Sequence, residues 1–158
     1  MLGLATVRKT PPQIRLGAVQ PVADGKTLEA IIANRYEVMA NYARSLRHAS
    51  RSEIARLKSE GAGSTAKLAT MRIARRWLHR DDDKIPHAAK GHVAEAVAQS
   101  PYLAKLVAMR EELRLLWTRT GVSAEQLVAD LQAWLRKAEE SGIAALQEFA
   151  LRLRAVRA

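Results

Sequence analysis

The sequence predicts an all-α protein, built from one long N-terminal helix and a compact C-terminal antiparallel three-helix unit. Three observations carry that expectation. From Ser100 to Arg157 apolar residues recur at helical spacing: Leu103, Leu106, Met109, Leu113, Leu116 and Trp117, then Leu127, Leu131, Trp134 and Leu135, then Ile143, Leu146, Phe149, Ala150 and Leu153. The eight Gly and five Pro stand mostly at segment breaks, so long helices are permitted. Aromatic residues are only 4% of the chain, so its core must come from Leu, Ile, Val and Ala, which suits packed helices.

Four segments follow in order. Residues 1–26 carry Pro11, Pro12, Pro21, Gly3, Gly17 and Gly25 with no sustained period, and are expected to form an extended basic arm through Arg8, Lys9 and Arg15. Residues 27–60 read as one long helix, capped by Thr27 with Glu29 in its first turn. Its stripe is Leu28, Ile32, Met39, Tyr42, Leu46 and Ala49, and its polar later part, Ser50 to Glu53, is expected to fray. At 1.5 Å per residue such a helix spans about 45 Å and needs a partner helix, in this chain or in a second copy.

Residues 61–99 form a linker with short helices. Gly61 to Ser64 is a break, Ser64 or Thr65 caps a helix through Leu78, Asp81-Asp82-Asp83 ends it, and Pro86 opens a further helical piece with Val93, Ala94 and Val97 as a weak face. Residues 100–158 form the bundle. Ser100-Pro101 is the strongest helix start in the chain, Ser123 with Gln126 matches a capping box, and Gly142 stands where a left-handed C-cap residue belongs. The short breaks make the three helices antiparallel neighbours, with Leu113, Trp117, Leu131, Trp134, Leu146 and Phe149 in their core.

Composition narrows function without assigning it. The net charge of +10, from 26 basic and 16 acidic residues, predicts attraction to nucleic acid or to an anionic membrane surface. The absence of cysteine excludes disulfide and thiolate chemistry and fits a reducing compartment. No apolar run approaches the ~20 residues of a membrane-spanning helix, and the N-terminus does not read as a signal peptide, so a cytoplasmic, at most membrane-peripheral, location is expected.

No catalytic, cofactor or metal constellation emerges. His87 and His92 lie five apart, but nothing is placed to complete a site of three ligands. His79-Arg80-Asp81 imitates the kinase catalytic-loop tripeptide without the glycine-rich loop, strand lysine or metal-binding Asp that kinase chemistry requires. Gly61 to Thr65 lacks the Walker spacing. Asp81 to Asp83 reads as a solvated turn beside Arg80 and Lys84. Arg72, Arg75, Arg76 and Arg80 fall on neighbouring helical positions and are the candidate anion or phosphate contacts, although an ordinary basic face explains the same residues. Trp77, Trp117 and Trp134 lie on apolar stripes and suit a core better than base stacking.

Several stretches resemble the cytosolic C-terminal extension of bacterial membrane fatty-acid (acyl-CoA) desaturases. They are Leu2 to Lys9, Asn34 to Met39, Arg76 to Asp82, and Met109 to Ile143 in parts. That resemblance implies a non-catalytic helical domain in a lipid-metabolism context, contacting an anionic membrane face or a membrane desaturase core, with Leu2 to Lys9 at the exit from a membrane helix. The family's histidine boxes are missing: the chain has four His in all. The last two helices, with Trp134, Ser141-Gly142-Ile143, Phe149 and the basic Arg152 to Arg157, are also similar to the helical tail of insertion-sequence transposases. This alternative implies a non-catalytic nucleic-acid-binding module, since the acidic triad of such enzymes sits on a mixed α/β core. A third expectation is a scaffold that forms homo-oligomers through the long helix.

Overall fold

A computed structural model describes residues 25–156. Residues 1–24 of the expected arm, including the junction at Leu2 to Lys9, and Arg157 lie outside the described residues, while Gly25 and Lys26, expected in the arm, open the first helix. Those described form seven α-helices and no strand: α1 (Gly25–Ala33), α2 (Arg35–Ser59), α3 (Thr65–Ala74), α4 (His87–Gln99), α5 (Pro101–Leu116), α6 (Ala124–Glu139) and α7 (Ala144–Arg154), with a 3-10 turn at Asp82–Lys84. The all-α class is as the sequence predicts.

The long helix is two helices. Asn34 leaves helical geometry at φ −112° and ψ 47°, and its side-chain amide donates to the Ala30 carbonyl at 2.9 Å. A short amide side chain competing for the carbonyl four residues back is a common way for Asn to interrupt a helix. The break frees carbonyls at the end of α1, and the indole Nε1 of Trp117 donates to one of them, that of Ile32, at 2.7 Å. The interruption also shifts the phase of the apolar stripe. Ile31 and Val38 are buried, whereas Ile32 and Met39, expected inside, are half-buried. Thr27 lies within the first turn of α1 rather than capping it.

The second half of α2 does not fray. Ser50 is fully buried and donates to the Leu46 carbonyl. Glu53 is buried between the Ser100 hydroxyl, which donates to it at 2.8 Å, and the Arg56 guanidinium at 2.8 Å. Polar residues continue a helix when neighbours satisfy them, and here the neighbour is the cap of α5. Gly61 and Gly142, at φ 65° and 75°, follow the ends of α2 and α6 as left-handed residues, and Gly121, at φ 70°, turns the loop between α5 and α6. Ser64, Ser100 and Ser123 each accept a bond from the third residue of the helix they open. The capping box is only half made: the Gln126 side chain turns to Asp130 at 2.9 Å instead of back to Ser123.

The helices share one core. α2 packs against α5 and α7, α5 against α6, α6 against α7, and α1 against α6. The partners that α2 requires are therefore present in its own chain. At the centre three rings meet edge to face: Tyr42 of α2 with Phe149 of α7 at 5.0 Å, Trp134 of α6 with Phe149 at 5.8 Å, and Tyr42 with Trp134 at 6.2 Å. Their polar tips reach α5: Tyr42 Oη donates to the Leu106 carbonyl at 2.5 Å and Trp134 Nε1 to the Met109 carbonyl at 2.9 Å. Burial pushes the Tyr42 hydroxyl pKa well up, keeping it a donor. Trp117 is half-buried at the edge of this core, not within it.

Phe149→Ala removes a buried ring that touches both other aromatics, and should cost about 3–5 kcal/mol in urea-induced unfolding. Ser100→Ala, which uncaps α5 and strips Glu53 of a donor, should cost about 1–3 kcal/mol in the same measurement.

Candidate functional site

The exposed side of α2 is made by the residues opposite Tyr42 and Leu46. Met39, Ala40, Ala43, Arg44 and Arg47 form the floor of an open cleft of about 410 Å³. The segment that follows α3 forms a wall, with His79, Arg80, Asp81 and Lys84, and Arg110 of α5 closes the end. Small residues at 40 and 43 leave the hollow; arginines at 44 and 47, one helical turn apart, charge it.

Five cations and one acid line this cleft. The acid is already engaged. Asp81 accepts from Arg110 Nη2 at 2.8 Å and lies 3.9 Å from Arg114 Nε. The bond from Arg110 holds the Asp81 carboxyl below its usual range. Among the described residues Arg47, Arg80 and Lys84 enter no ion pair. Arg44 bonds only to the neutral amide of Asn41. The cleft thus presents unneutralised positive charge within a concave surface, which concentrates anions.

His79 reports the same field. Burial first, then the charges of Arg47, Arg80 and Arg110, lower its pKa to about 4. The ring is neutral at pH 7, and its Nδ1 is buried without a hydrogen-bond partner. Asp82 and Asp83 lie exposed in a turn, as expected, whereas Asp81 is a structural joint that ties the wall to α5 because two arginines of that helix reach it.

Of the four candidate anion contacts, Arg80 lines the cleft. Arg72, Arg75 and Arg76 do not, and only Arg72 lies inside α3; Arg75 is its C-cap, and Arg76 and Arg80 follow in turns. Sequence reasoning missed Arg44, Arg47, Lys84 and Arg110. The first two had a readable signal, a pair of arginines three apart on the polar side of a helix. The third and fourth had none, because a loop and a helix 26 positions later meet only in the fold. His87 and His92 sit on α4, where five positions place them on different faces. Among the described residues no group of three or more His, Cys, Asp or Glu could hold a metal ion, and no helix is long and apolar enough to cross a membrane.

A model of transposases, the ISL3 branch of the DDE type, matches residues 25–158. The chain belongs to this transposase family. The match takes in every described helix, so the similarity first noted in the last two helices extends over the others. Nothing among the comparisons supports a desaturase extension: helical text rich in Leu, Glu and Arg resembles many unrelated helices, and the stretches from Asn34 onward fall within the transposase match. No curated protein and no solved structure matches this transposase-family chain.

His79 gives the site a measurable pH signature. Its folded pKa of about 4 lies below the ordinary 6.5, so the unfolded chain takes up the proton first as pH falls. The stability present above about pH 6.5 should decline as pH drops toward 4, a window above that of the Asp81 and Glu53 carboxyls, whose pKa values are lowered. Thermal unfolding at pH 7.5 and 5.5 should show a smaller loss of Tm in His79→Gln than in the parent chain.

Proposed function

We propose that this chain is a non-catalytic, nucleic-acid-contacting helical part of an ISL3-type transposase, and that its basic cleft holds the phosphate backbone. The observation that carries this reading is the cleft itself: five cations on three separate elements converge, and their one acid is held by Arg110. Guanidinium forks suit phosphate oxygens because they donate two parallel bonds to one group. Lys84 adds a point charge at the wall. Arg72, Arg75 and Arg76 precede Arg80 in the same stretch and serve as outer contacts that extend the charged surface beyond the cleft.

The family match supports a nucleic-acid partner, and the net charge of +10 agrees with it. The non-catalytic role is motivated by where the acids go. Asp81, Glu53, Glu111, Asp130 and Glu139 are each bonded to an arginine, not gathered toward a shared ion. In this role the chain supplies affinity and position, while the sequence-independent phosphate contacts leave base readout to other elements.

Binding should therefore be strongly salt-dependent. In a fluorescence anisotropy titration with mixed-sequence DNA, Arg47→Ala and Lys84→Ala should each weaken binding and lower the slope of log K against log salt by about 1. Arg72→Ala with Arg76→Ala should have the smaller effect. Binding that is unchanged in Arg47→Ala with Lys84→Ala would remove the cleft from the reading.

A further inference from the structure

We propose that the occupant of this cleft is an unpaired, single-stranded segment of nucleic acid, one base of which stacks on Tyr36. This inference rests on the nucleic-acid reading above and specifies the form of the ligand. Two independent observations carry it: the shape of the charged surface and the position of one aromatic ring.

The cations line a hollow. Arg44 and Arg47 stand on its floor, and Arg80 and Lys84 rise on the wall opposite. Elements that read duplex DNA project outward into a groove some 12 Å wide. Here the cations are exposed around an open hollow, with Arg44 and Arg47 on one helix and Arg80 and Lys84 on the segment beside it, an arrangement that suits one phosphate backbone lying between them. A single strand has the right section for a cleft of about 410 Å³, and positively charged grooves that track one backbone are the common design of single-strand binders.

Tyr36 is the second observation. It is 89% exposed, far more than any other exposed large apolar side chain among the described residues; the next, Leu115, is 44% exposed. An isolated exposed aromatic needs no explanation. This one continues the cleft. Tyr36, Ala40 and Arg44 are spaced by four, as are Met39 and Ala43, so Tyr36 lies on the same face of α2, one turn before the floor. Side chains on a helix lean toward its N-terminus, which extends the ring outward from the cleft mouth. Its neighbour Arg35 is close enough to Asp81 to help depress that carboxyl, which places the start of α2 beside the wall. A ring with an open face, one turn from a row of phosphate-binding cations, is the arrangement in which a base stacks while its backbone is held.

The test compares a labelled mixed-sequence DNA strand of about 12 nucleotides with the duplex of the same sequence, by anisotropy with the full chain at two salt concentrations. The strand should bind more tightly than the duplex. Tyr36→Ala should weaken strand binding about 5- to 150-fold, while Tyr36→Phe, which keeps the ring, should preserve it. Circular dichroism and Tm should be unchanged in both variants, since the side chain has no buried role. A strand carrying 2-aminopurine should lose fluorescence on binding the parent chain and not on binding Tyr36→Ala. Equal or tighter duplex binding, with no effect of Tyr36→Ala, overturns the single-strand inference and leaves the nucleic-acid reading in place. Binding of neither form overturns both.

Discussion

The structure depends on the meeting of Tyr42, Trp134 and Phe149. Each comes from a different helix, and the two polar tips are donated to carbonyls of a fourth, so a single cluster fixes α2, α5, α6 and α7 against one another. Edge-to-face rings add to simple burial and also set angles. The hydrogen bonds set register, because a donor buried without its carbonyl would be costly. A chain with so few aromatic residues uses three of them at one point.

The cleft is the outer side of that arrangement. Tyr42 and Leu46 hold one face of α2 in the core, and Arg44 and Arg47 stand on the other. The wall is tied to the same frame by Asp81, which grips Arg110 on α5. Arg110 is itself 9% exposed, and a guanidinium that buried requires its carboxylate. The cost of bringing the cations together is thus met by the packing of the core and by one ion pair. His79, in the same wall, has its pKa lowered first by burial and then by Arg47, Arg80 and Arg110.

Much of the fold was legible in the sequence because its signals are local. The serine caps at 64, 100 and 123, the positive-φ glycines at 61 and 142, and the apolar spacing of Leu103 to Leu113 act over a few residues and survive in the structure. The break at Asn34 was not legible, because Asn is tolerated in many helices and only the side-chain bond to Ala30 and the docking of Trp117 make it a break here. The burial of Glu53 depends on Ser100, 47 positions away. Of the candidate site, Arg80 was read directly and the Arg44 and Arg47 pair carried a readable signal, whereas Lys84 and Arg110 carried none. Charge was visible everywhere along the chain, but which charges converge is a property of topology. Lys84 and Arg110 meet Arg44 and Arg47 through packing that no local pattern encodes. The resemblance to desaturase extensions arose from helical text that many families share; the resemblance in the last two helices led to the transposase family.

The proposed function puts nucleic acid on the face of α2 opposite the aromatic cluster. An ¹H–¹⁵N correlation spectrum of the labelled chain, titrated with DNA, tests it most directly. Shifts should concentrate at residues 35–47 and 79–84, with the indole signals of Trp117 and Trp134 unmoved. Shifts confined to α6 and α7, or to residues 72–76, with the cleft silent, would contradict it.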